Sequence, residues 1–126
     1  MSKNYQLGLM YLVHLLVSAD GVIDEKELAA LDKIKSKEKI PDSIFDQFKV
    51  DVTIKKERDL YQEGLEFLGQ CSEQERLQAF AILYKMSEVD GRVHVKEVRL
   101  LLYSTKMTGV EFDDVVKLAG QMPSFY

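Results

Sequence analysis

The chain has 126 residues, the size of one domain, of which 46% are hydrophobic and 30% charged. Its single cysteine excludes an intrachain disulfide framework and a zinc ribbon, and two histidines provide little material for a His-rich metal centre. The net charge of −4 argues against nucleic acid as the main partner, because binding to phosphates requires clustered Lys and Arg. Composition therefore excludes several classes of protein without indicating an activity.

Helix formers dominate the sequence, and we predict an all-α fold of about seven helices in a single domain, residues 1–126. No proline lies between Pro41 and Pro123. The first helix has an apolar face with i, i+3, i+4 and i+7 spacing, which is formed by Leu9, Leu12, Val13 and Leu16. Residues 7–17 also resemble the apolar region of an export signal. Because the same pattern recurs in the interior of the chain, we interpret it as a helix of the domain.

The middle and the end of the chain predict further helices from local start and stop signals. Residues 40–43 form one helix start, and residues 57–69 have apolar side chains at helical spacing. Ser72 and Glu75 have the spacing of a capping box. Residues 50–54 alternate between apolar and polar side chains, which favours a short extended linker. A final helix is predicted over residues 110–121.

An internal repeat is the most informative feature of the sequence. Residues 20–28 and 90–98 both read Asp-Gly-x-aliphatic-x-x-Lys-Glu-aliphatic, at an offset of 90 − 20 = 70 residues. The match extends upstream through an apolar face, in which Met10, Leu12, Val13 and Leu16 align with Phe80, Ile82, Leu83 and Met86. We therefore predict two related helix hairpins, at about residues 7–35 and 77–105.

Each copy is predicted to fold as a helix, a tight turn and a second helix. The glycine after the aspartate fits a left-handed helix terminator, where a Cβ atom would be unfavourable. In the first copy Asp24 and Glu27 have the spacing of an N-cap and its N3 partner. In the second copy Glu97 keeps the N3 position, whereas His94 stands where the cap would be.

The spacing of the repeated turn matches the second half of an EF-hand loop, but the first half does not fit. Position 1 of such a loop would be Leu16 in the first copy and Met86 in the second. An apolar residue at that position cannot provide the first calcium ligand. We therefore exclude an ordinary EF-hand.

A different cation site follows if the two hairpins pack about a pseudo-twofold axis. The four repeated carboxylates could then converge, and they are Asp20, Glu27, Asp90 and Glu97. Because clustered carboxylates repel one another, a hard divalent cation would stabilise them through oxygen ligands. Additional ligands could come from Asp24, Glu88 and His94, and the imidazole would favour a transition metal. Calcium, magnesium and manganese fit this set better than zinc. Alternatively, the acidic residues serve only as helix caps and turn residues.

The doubled Asp-Gly-x-[Ile/Val]-x-x-Lys-Glu motif, within an acidic helical domain of this length, resembles the TerB tellurite-resistance family. The resemblance covers residues 7–121. It implies a seven-helix fold with internal pseudo-symmetry, and acidic residues after the first helix of each copy that could bind a metal ion. By position these are the four repeated carboxylates. The resemblance also implies a role in stress and metal-oxyanion resistance.

These observations favour a cytoplasmic, non-enzymatic domain that binds a divalent cation. The alternative is a protein-interaction module with an exposed apolar groove, in which Phe125 and Tyr126 could take part. The basic segment 33–39 could contact an anionic membrane or a protein partner. His14, within an apolar helix, is predicted to lie in the core. The sequence contains neither a phosphate-binding glycine loop nor a pair of zinc ligands.

Overall fold

The computed structural model of the protein describes residues 3–17, 25–89 and 110–122, without the side chains of residues 17, 26, 27 and 87–89. Over these ranges the chain forms six α-helices and no strand, which confirms the all-α prediction. The helices are α1 (Lys3–Val17), α2 (Glu25–Lys37), α3 (Asp42–Ile54), α4 (Glu57–Gly69), α5 (Glu73–Val89) and α6 (Phe112–Gln121). The seventh predicted helix, in the second copy of the repeat, lies outside the described residues.

Helix α1 lies in the centre of the described structure. Its ten consecutive residues 5–14 are all buried, and the helix contacts α2, α3, α4 and α5. A helix that is enclosed on every side needs apolar residues around its whole circumference, and this sequence provides them. Helix α5 is likewise buried over residues 79–83 and packs against α1 and α6.

The apolar faces that the repeat aligns are buried in both copies. Leu16 is half-buried, and the other aligned side chains are fully enclosed, namely Met10, Leu12, Val13, Phe80, Ile82, Leu83 and Met86. The first helices of the two copies thus serve as equivalent core helices. This equivalence is what the 70-residue offset predicts.

Two glycines allow α1 and α4 to approach closely. A Cβ atom built on Gly8 would lie 3.0 Å from the carbonyl oxygen of Gly64 and 3.0 Å from Cγ of Leu68. The two helices run antiparallel, since Asn4 donates a hydrogen bond to Gln70 at 2.8 Å while Gly64 lies against Tyr11. The backbones of α1 and α4 are therefore in close contact at these glycines, with no room for a Cβ atom at Gly8.

Local signals explain where several helices begin and end. The backbone N–H of Glu75 donates to Oγ of Ser72 at 3.2 Å and that of Ser72 donates to the Glu75 carboxylate at 3.3 Å, so the predicted capping box is confirmed. Helix α2 ends in a Schellman motif, in which the N–H of Ile40 donates to the carbonyl of Lys35 at 2.9 Å. The residue at the left-handed position is Lys39, with φ of 53°. Glycine is the usual residue there because a Cβ atom is disfavoured.

The predicted extended linker at residues 50–54 is wrong, because this segment is the last part of α3. Its alternation of β-branched and polar residues is coincidental. Asp51 and Val52 follow Phe48 at i+3 and i+4 and are buried with it, whereas Val50 and Ile54 are 52% and 71% exposed. Burial therefore follows the helical period of 3.6 and includes a carboxylate.

We expect Gly8→Ala to destabilise the protein by about 1–3 kcal/mol, because the added methyl group would press on the backbone of α4. Gly120→Ala is the matched control, since nothing lies within 4 Å of a Cβ atom there. That substitution should be neutral or stabilise α6 by up to about 1 kcal/mol through helix propensity. Urea unfolding of the two variants measures both effects. Equal stability of the two variants would contradict the close helix contact.

Candidate functional site

The four carboxylates of the predicted metal site are not among the described side chains. Asp20, Asp90 and Glu97 lie outside the described residues, and only the backbone of Glu27 is described. The possible additional ligands have the same status: Asp24 and His94 lie outside, and Glu88 is described as backbone alone. The metal site therefore stays a prediction. Among the side chains that are described, no group of three or more His, Cys, Asp or Glu residues is arranged to hold a metal ion.

The described helices extend towards the predicted turns, but their bounds do not coincide at the 70-residue offset, because Val17, the last residue of α1, corresponds to Ser87, two residues before the last residue of α5. Helix α1 ends at Val17, three residues before Asp20, and α5 ends at Val89, directly before Asp90. Helix α2 begins at Glu25, which places Glu27 in its first turn. Both predicted acidic turns thus follow the C-terminal end of a core helix.

A hydrogen-bonded cluster, the Glu38 node, consists of Tyr5, Glu38 and Gln78 and joins three helices. The hydroxyl of Tyr5 donates to Oε1 of Glu38. The side-chain amide of Gln78 donates to both carboxylate oxygens, at 2.9 and 3.2 Å. Glu38 follows the last residue of α2, where the helix dipole disfavours a negative charge. Donors from α1 and α5 offset this cost.

The Glu38 node lies at the opposite end of each helix from the predicted turns. At 1.5 Å per residue, Tyr5 is about 18 Å from Val17 along α1, and Glu38 is about 16 Å from Glu27 along α2. By the same measure, Gln78 is about 15 Å from Glu88 along α5. The described helix ends on that side, Val17, Glu25 and Val89, thus lie about 17–20 Å from the node along the helices.

A second cluster surrounds the buried carboxylate of Asp51, which is 4% exposed. The hydroxyl of Tyr11 donates to Oδ2, and the amide of Gln47 donates to Oδ1 at 2.8 Å. Lys55 lies 5.6 Å from the centroid of the Tyr11 ring and forms an ion pair with Glu63 at 2.7 Å. These five residues, the Asp51 cluster, connect α1 with α3 and α4 and satisfy a carboxylate that would otherwise be costly to bury.

Sequence reasoning missed both clusters. Glu38 and Asp51 are separated from their tyrosine partners by 33 and 40 residues, so no local spacing reveals them. One signal was available for Asp51. If residues 50–54 are treated as helical, an aspartate appears on the same face as Phe48, and a carboxylate on a core face requires a partner.

Both tyrosine hydroxyls are held in the protonated form. Burial raises the pKa of Tyr5 far above its ordinary range, and the hydrogen bond to Glu38 raises it further. Burial and the hydrogen bond to Asp51 raise the pKa of Tyr11 in the same direction. Ionising either phenol would place a negative charge beside a carboxylate.

Three other residues that the sequence singled out, His14, Lys35 and Cys71, form contacts within the fold. His14 is 1% exposed, and its ring contacts the ring of Phe48 edge-on with centroids 6.1 Å apart, so the predicted core position is confirmed. Within the basic segment, Lys35 forms an ion pair with Asp42. The half-buried thiol of Cys71 donates to the carbonyl of Phe67 at 3.3 Å.

Comparison with protein families gives a match over most of the chain. The family described as "Tellurite resistance protein TerB" matches residues 6–119, which is most of the chain. No curated protein and no solved structure matches the chain significantly. Within residues 3–17, 25–89 and 110–122, no helix has the length and apolar character needed to cross a membrane.

We expect the unfolding free energy to fall as the pH rises above about 10, the ordinary pKa of tyrosine. Because the pKa values of Tyr5 and Tyr11 are raised in the folded protein, their contribution is complete below that pH and is lost as the unfolded chain ionises. Urea unfolding across the alkaline range measures the slope. Tyr5→Phe and Tyr11→Phe should each reduce it, and a slope unchanged in both variants would contradict this account.

Proposed function

The chain belongs to the TerB tellurite-resistance family, and from this we propose that it is a non-enzymatic domain that binds a divalent cation through its two repeated acidic turns. The observation that carries the proposal is the repetition of an Asp and a Glu, with identical spacing, after each of two equivalent core helices. We further propose that the domain acts in the cytoplasm, in resistance to stress and metal oxyanions.

The described helices support a common position for the two turns. The Glu38 node joins α1, α2 and α5 at one end, and each helix extends a similar distance from the node to a predicted turn. Helix α1 also contacts both α2 and α5. The contact between α1 and α5, the helices that precede the two turns, is the observation that supports a common position.

The chemistry of the proposed site follows from its four carboxylates, Asp20, Glu27, Asp90 and Glu97. Without a cation their mutual repulsion would raise their pKa values and strain the turns. A hard cation accepts several carboxylate oxygens together with water, which favours calcium, magnesium or manganese over zinc. Asp24 and Glu88 could complete the coordination, and a nitrogen ligand from His94 would favour a transition metal over calcium.

We expect calcium, magnesium or manganese to raise the midpoint of thermal unfolding of the wild-type protein. A cation at a hundredfold excess over its Kd stabilises the folded state by about 2.7 kcal/mol, because it binds the folded form alone. The double variant Asp20→Asn/Asp90→Asn should lose this response, since it removes one charged ligand from each turn. Differential scanning calorimetry with each ion measures the shift, and isothermal titration calorimetry measures the Kd.

The matched control is Asp32→Asn/Glu66→Gln, which removes two exposed carboxylates from the middle of α2 and α4. It changes the net charge as much as the test variant does, so it corrects for non-specific attraction of cations. The control should respond to the cation as the wild type does. An absence of stabilisation in the wild type, or equal responses of the two double variants, would contradict the proposed site.

A protein-interaction module is the second candidate function, and one observation favours it. Val50 and Ile54 lie one turn apart on α3 and are 52% and 71% exposed, which makes them the most exposed large apolar side chains among the described residues. In this function the acidic turns are only caps. A partner bound equally with and without chelator, and lost in Val50→Ser/Ile54→Ser, would favour it over cation binding.

A further inference from the structure

We draw no further inference here: the strongest candidate, the exposed apolar patch that Val50 and Ile54 form at the C-terminal end of α3, carries none, because nothing in the described part of the chain shows what covers it.

Discussion

The close contact of α1 and α4 at Gly8 and Gly64 is the constraint on which the rest of the described structure depends. It brings the two backbones together without side chains between them, so α1 can be enclosed by neighbours on all sides. The antiparallel direction places the connection between α4 and α5 beside the beginning of α1, where Asn4 binds Gln70. Helix α5 therefore starts next to Tyr5, and the Glu38 node can form. A side chain at Gly8 would separate α1 from α4 and would therefore disturb the other contacts that depend on this pair.

Enclosing α1 also explains the two polar clusters. Tyr5 and Tyr11 add large apolar rings to the core, but each carries a hydroxyl that must find a partner once it is buried. The partners are carboxylates from different parts of the chain, Glu38 and Asp51. A buried carboxylate contributes little net stability, yet an incorrect arrangement would leave it unpaired at high cost. An arrangement of helices around α1 that separates either tyrosine from its carboxylate is therefore disfavoured.

The sequence was sufficient for elements whose signals are local. The bounds of α4 and the capping box at Ser72 followed from side-chain spacing within a few residues. The sequence was insufficient at residues 50–54. The alternation of β-branched and polar residues there fits an extended strand, and the same short segment also fits one face of a helix. The sequence could not reveal the Glu38 node or the Asp51 cluster, since their members meet only after the helices have packed. The candidate cation site stays a prediction, and it rests on a different kind of signal: a repeat can be recognised in the sequence without knowing the fold.

The two copies of the repeat differ in an instructive way. Their aligned core residues are buried in both copies, apart from the half-buried Leu16, but other positions are not alike: Tyr5 corresponds to Glu75, Gly8 to Gln78, and Tyr11 to Ala81. Each first helix has therefore become adapted to its own neighbours, α1 to α4 and α5 to α6. The Asp and Glu of the turns are identical in both copies, although a cap can be Ser, Thr or Asn as well as Asp. The predicted cap itself differs, with His94 in place of Asp24. Helix capping alone does not require the same carboxylates at all four positions. A ligand set shared by the two turns, in contrast, requires a charged oxygen at each of them.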